Sequence, residues 1–253
     1  MAETASRSKL GATLVTSGVA VAGSILSILT AVPVVLVLQP GSDLSASPAG
    51  FAALFVASYV GYALAGVAYL AWSDRGFGYL DVEIPDVRDL LYVVVGIVGV
   101  FAAVIALGVL ISLLDTPSTP HNLFEPGMNP QILLVLIPLV LFVNAPVEEL
   151  VFRNVVQKRL AESFSTPSAV VLASVIFGVV HLPSYYNPDL RATAVSLGLV
   201  TVASLVFGAV YAKTDNVVVP SVVHGVYNAV QIGLFYLFVS ADQTLTAGLV
   251  PSL

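Results

Sequence analysis

Seven stretches of the chain run apolar without a single Asp, Glu, Lys or Arg: 12–38, 49–72, 91–114, 132–147, 168–182, 192–212 and 217–239. A helix needs ~20 such residues to cross a bilayer, so the pattern predicts an all-α fold, a polytopic transmembrane bundle of about seven spans. The first run is too long for the apolar part of a signal peptide and no clear small-residue cleavage site follows it, so it is expected as a retained span. The connections at 39–48 and 115–130 carry Gly, Pro, Ser and Asp and leave no room for a soluble domain. Between the second and third runs, residues 79–85 alternate Leu80, Val82 and Ile84 with Asp81 and Glu83. That alternation predicts a short strand or interfacial stretch with both acids on a solvated face, before Asp86 starts the next helix. The expected organisation is three transmembrane helices with interfacial loops over 1–130, a helical core over 131–240 and a short tail over 241–253.

Composition sharpens this picture. Of 253 residues, 58% are apolar and 9% charged, too few charges to cover a water-facing surface. Lipid is therefore the expected partner of that surface, and the cell membrane the expected location. The net charge of -6 argues against nucleic-acid binding. With no cysteine, disulfides, thiolate nucleophiles and Cys-ligated metals are excluded, and any chemistry must come from His, Asp, Glu or Ser. Arg7 and Lys9 precede the first run, Arg75 and Arg88 separate the second and third, Lys158 and Arg159 the fourth and fifth, and Lys213 the sixth and seventh, whereas the alternate loops hold only Arg191. The positive-inside rule then places the N-terminus in the cytoplasm and the C-terminus outside, with Trp72 as an inner interfacial anchor.

Ionisable groups beside apolar runs are costly and point to function. The fourth run leads into Asn144-Ala145-Pro146-Val147-Glu148-Glu149-Leu150-Val151-Phe152-Arg153, the fifth carries His181 four residues after Phe177, and the seventh carries His224 four residues before Asn228. Glu149 and Arg153 share a helix face in the favourable order for an ion pair, so they are expected to support the site. Glu148, turned ~100° away, is left for chemistry, with Asn144 one turn before it to hold the carboxylate or a water. If the fourth and fifth runs turn near 163–166, Glu148 and His181 each lie ~25 Å from the turn and meet at one level, and His224 lies ~12 Å beyond the Asp215-Asn216 loop. Glu148 itself is then ~12–15 Å inside the Lys158-Arg159 boundary, which suggests that a substrate enters from the cytoplasmic side. This depth leaves the fifth span short, so the stretch after Pro183 is expected to dip into protein-covered space.

Taken singly, these features are ordinary: an interfacial salt bridge, two interhelical histidines, a packing Phe177. His121, beside Asn122 in a polar loop, is expected to be solvated. Together, Glu148-Glu149-x-x-x-Arg153, Phe177-x-x-x-His181 and His224-x-x-x-Asn228 resemble the three motifs of the CAAX protease and bacteriocin-processing family, the type II CAAX prenyl endopeptidase group, over roughly 132–239. Many members carry Gly where this chain has Asn154, a departure expected to touch packing rather than chemistry.

The resemblance implies intramembrane hydrolysis of a peptide bond. Glu148 would activate water with His181, His224 and Asn228 would stabilise the oxyanion, and the substrate would be a membrane-associated peptide, either a prenylated CAAX-type tail or a leader peptide. Elementary chemistry agrees, because a carboxylate kept from water is a better base near neutral pH and two donors four residues apart share a face. No cofactor is required on this reading. Members have also been described as metalloproteases, and Glu148, His181 and His224 are the alternative zinc ligands. A proton-coupled transporter and a non-proteolytic scaffold or immunity-type protein are the competing classes; the former usually shows a repeat that this sequence lacks.

Overall fold

The computed structural model describes residues 2–38, 47–122 and 129–249, without the side chains of 2–7 and 242–249. Arg7, most of the 39–48 connection, residues 123–128 of the next one and the last four residues of the expected tail lie outside that description. Among the described residues there is no strand, and the predicted helical bundle is what forms. Its helices are α1 (Ala2–Leu38), α2 (Pro48–Trp72), α3 (Val87–Leu113), α4 (Pro130–Ala161), α5 (Thr166–Val180), α6 (Leu190–Thr214) and α7 (Val218–Leu249). Six are long and apolar enough to cross a membrane, and α5, at 15 residues, is the short span expected from the depth of His181.

Local chemistry sets the boundaries. Ser47, Asp86, Asn129 and Asp189 cap α2, α3, α4 and α6 by accepting from backbone N–H groups two or three residues on. Asp74, Asp115 and Asp215 end α2, α3 and α6 in the left-handed region, with φ between 47° and 54°. Where α1 meets α2, a Cβ on Gly61 would stand 2.4 Å from the backbone of Leu26 and Ser27. Only glycine permits that approach.

One helix is irregular, and it carries the first motif. Within α4, residues Val140–Asn144 and Leu150–Gln157 are π-helical, either side of a short α segment. Pro146 has no N–H for the carbonyl one turn back, and Pro138 imposes the same defect earlier, so the ladder shifts register around them. Such bulges widen the turn and re-aim side chains.

Of the two alternatives for the 79–85 stretch, strand or interfacial segment, the strand does not form, and Asp81 is half-buried rather than fully solvated. Residues 81–86 run extended across the end of the bundle that carries Arg75, Lys158 and Lys213, here termed the basic end. Asp81 accepts from Lys158 Nζ at 2.6 Å and from the Tyr211 hydroxyl, and its carbonyl accepts from Val217 N–H at 2.8 Å. Asn216 pairs with Glu83 through both backbone groups, at 3.3 and 3.1 Å. Asn154, fully buried, lies between the Tyr79 carbonyl and the Asp81 N–H, and the amide orientation that satisfies both puts its nitrogen 3.2 Å from the carbonyl and its oxygen 2.8 Å from the N–H. Its departure from glycine therefore serves to dock this strap. Glu83 alone keeps the exposed position expected of both acids.

Candidate active site

A cavity of about 450 Å³ lies among α2 to α7, and Asn144, Glu148, Phe177, His181, His224 and Asn228 all line it. Asn144 and Glu148 come from α4, Phe177 from α5, His181 from the residue that ends α5, and His224 and Asn228 from α7. Glu148 is 6% exposed and His224 4%. Asn144 Nδ2 donates to Glu148 Oε1 at 2.8 Å, and Asn228 Nδ2 donates to Asn144 Oδ1 at 2.9 Å, so one amide joins the α7 asparagine to the α4 carboxylate. Glu148 Oε2 faces His224 Nε2 at 3.9 Å.

Behind the cavity, Glu149 and Arg153 form the expected pair, Nε to Oε2 at 2.8 Å, with both side chains fully buried. Glu149 has a second partner that spacing alone does not reveal, His224 Nδ1 at 2.9 Å from Oε1. Since a carboxylate only accepts, Nδ1 carries the hydrogen and Nε2 is turned toward Glu148. Arg153 also donates to Ser204 Oγ at 2.7 Å, and Gln157 Nε2 donates to the Gly208 carbonyl at 3.0 Å. His181 Nδ1 lies 2.7 Å from the Phe177 carbonyl, which leaves Nε2 as the basic ring atom. Phe177 stands between the two histidines, its ring centroid 4.5 Å from His181 and 5.9 Å from His224, and Phe207 stacks on His224 at 4.5 Å. The expected packing role of Phe177 is thus to hold both rings apart and in place.

Two expectations are corrected. The basic side of Glu148 is filled by buried Phe152, Arg153, Asn154 and Gln157. The lining beyond Glu148 comes from Val140 and Leu136 of α4, Phe55 of α2, Val104 of α3, Ser196 of α6, Gln231 of α7 and the loop residues Ser118 to His121, all toward the opposite end. Depth counted along α4 measures distance from a helix end, whereas packing decides on which side space is left; entry from the basic side does not follow.

His121 is likewise half-buried rather than fully solvated. It lines the cavity with its ring edge-on to Tyr185 at 5.0 Å, while Ser196 Oγ pins the loop by accepting from Thr119 N–H and donating to the Thr119 carbonyl, each at 2.8 Å. Tyr185 itself belongs to the stretch after Pro183 that was expected to turn inward. Burial, with the His181 charge, pushes the His121 imidazole down from its ordinary 6.5 to about 4. An undocked loop takes up a proton as pH falls below about 6.5, while the docked loop resists until about 4, so docking is strongest above that window and fades through it. The Thr119 and Asn122 amides, bonded to Ser196 and Ser184, should exchange hydrogen faster near pH ~5 than near pH ~7 once intrinsic rates are removed; equal protection would refute this.

Tyr59, Ser204, Phe207 and His121 are the lining or supporting residues that motif spacing missed. A signal existed for Tyr59 alone: tyrosine prefers the membrane interface, and this one sits mid-span. Glu148, His181 and His224, the ligands of the zinc alternative, line this one cavity, and among the described residues no three His, Asp or Glu side chains are drawn together as a metal cluster.

A buried acid and two histidines thus line one cavity inside a multi-pass helical bundle. Residues 130–230 match the family model described as type II CAAX prenyl endopeptidase Rce1-like, so this segment of the chain is similar to those membrane proteases. No curated protein and no solved structure matches the chain.

Proposed function

We propose that this protein is an endopeptidase that hydrolyses a membrane-associated peptide with water activated by Glu148. The observation that carries the reading is the meeting of Glu148, His181, His224 and Asn228 on one cavity, with Glu149 and Arg153 behind them. Glu148 takes a proton from water as the oxygen attacks the scissile carbonyl, with His181 Nε2 sharing or orienting that proton. The oxyanion is met by Asn228, whose amide keeps a second hydrogen beside the one given to Asn144, and by His224 when both ring nitrogens are protonated. Glu149 then balances the imidazolium. Collapse breaks the C–N bond, and the abstracted proton passes to the leaving nitrogen, giving an acid and an amine.

The cavity and the charge pattern together support arrival of substrate from one side. With the basic end and N-terminus in the cytoplasm, the cavity faces the outer half of the membrane. A leader or propeptide emerging on that side suits it, whereas a prenylated tail, made in the cytoplasm, requires the opposite orientation. Terminal-peptide labelling of membranes from cells carrying wild-type protein or Glu148→Gln tests this, with a chelator-treated arm. Neo-termini that depend on Glu148, persist under chelation and lie on the outer side are expected. Cleavage confined to cytoplasmic tails reverses the orientation, loss on chelation with return on zinc replaces the mechanism, and no differential cleavage favours the scaffold.

A further inference from the structure

The hydroxyl of Tyr59 touches the carboxylate that the proposed mechanism uses, from a helix outside the matched 130–230 segment. It donates to Glu148 Oε1 at 2.9 Å and accepts from Asn144 Nδ2, which itself donates to the same Oε1 at 2.8 Å. Each hydrogen in this triangle has one assignment. The Asn144 amide uses one for Tyr59 and one for Glu148, and Tyr59 uses its own for Glu148. Oε1 therefore receives two donors, while Oε2 receives neither and looks toward His224 Nε2 at 3.9 Å. The ring cannot swing out of this position easily, since it lies 4.7 Å from Phe55 and 6.2 Å from Tyr62, whose hydroxyl bonds Ser24 of α1 at 2.8 Å.

We infer that Tyr59 is a positioning residue that occupies one oxygen of Glu148 and so dedicates the other, Oε2, to proton transfer. The inference rests on Glu148 being the base. It also gives α2 a part in the site: Tyr59 and Asn144 hold the carboxylate from two helices, and the chain of bonds continues through Asn144 Oδ1 to Asn228, so the acid and the oxyanion donor are set by one network. A carboxylate held by a single flexible amide would present either oxygen. One held by two donors at the same atom presents only the second, and pre-organisation of this kind acts on kcat rather than on substrate binding.

Tyr59→Phe removes the hydroxyl and retains the ring contacts, and full-length protein in lipid nanodiscs is the material for the test. The infrared carboxylate stretch of Glu148, isolated as wild type minus Glu148→Gln at fixed pH, should shift when the Tyr59 hydroxyl is removed. With a library of quenched-fluorescent peptides as substrate, kcat should fall about ten- to a hundredfold, the loss expected for one hydrogen bond to a charged group, while KM changes less than about twofold. Tyr59→Leu, which also deletes the ring, should lower thermal stability where Tyr59→Phe does not. An unshifted band, or a fall in Tm that accounts for the lost activity of Tyr59→Phe, overturns the inference. Glu148→Gln inactive beside a Tyr59→Phe of wild-type kcat defeats the Tyr59 inference alone, whereas an active Glu148→Gln defeats the mechanism beneath it.

Discussion

Glu148→Gln is expected to reduce peptide hydrolysis about 10³–10⁴-fold, to background, without loss of the helical fold. The amide is isosteric and still accepts from Tyr59 and Asn144 through its oxygen, but it cannot take a proton from water. His181→Ala and His224→Ala should approach the same floor. Asn228→Ala should retain more, losing about 10²–10³-fold, because one oxyanion donor is removed while the base remains. Rates measured on purified, folded variants give this order directly, and full turnover by Glu148→Gln is the result that the mechanism cannot survive.

Arg153→Met carries the largest expected effect on stability. Both partners of the Glu149–Arg153 pair are fully buried, so removing the guanidinium leaves a carboxylate with no water and no counter-charge beyond His224. Breaking such a pair costs about 3–5 kcal/mol, whereas the partly exposed Arg159–Glu162 pair at the basic end should cost under about 1 kcal/mol when Arg159 is changed. Replacing both members, Glu149→Leu with Arg153→Met, should recover much of the stability, since no charge is then stranded. It should not recover activity, because His224 Nδ1 loses the acceptor that orients it. Denaturant titration in micelles, paired with a cleavage assay, separates these outcomes; a double variant as active as wild type would reduce Glu149 to a structural counter-ion.

The lengths of apolar run, the helix start at Asp86 and the hairpin between α4 and α5 were legible in the chain because they depend on local composition and on the fixed rise of a helix. The Glu149–Arg153 pair was legible for the same reason. Asp81 and His121 were misjudged for a shared reason. Each lies in a polar connection, where solvent exposure is the ordinary expectation, and each is covered by a distant part of the chain: Asp81 by Lys158 and Tyr211, His121 by Tyr185 and the cavity wall. Polarity in a loop reports what a residue can do in water and carries no record of what folds over it.

The chain alone determined that this protein is a helical membrane bundle and which residue types could act, since helix period and hydrophobic length are properties of neighbours in sequence. Only the tertiary structure decided that Tyr59 reaches Glu148 from α2, that Glu149 serves His224 as well as Arg153, and that the cavity lining extends away from the basic end. Those outcomes depend on how seven helices pack and on where Phe152, Arg153 and Gln157 exclude space. Contacts between residues 75 or 89 positions apart follow from helix–helix packing, which no periodicity along one helix encodes.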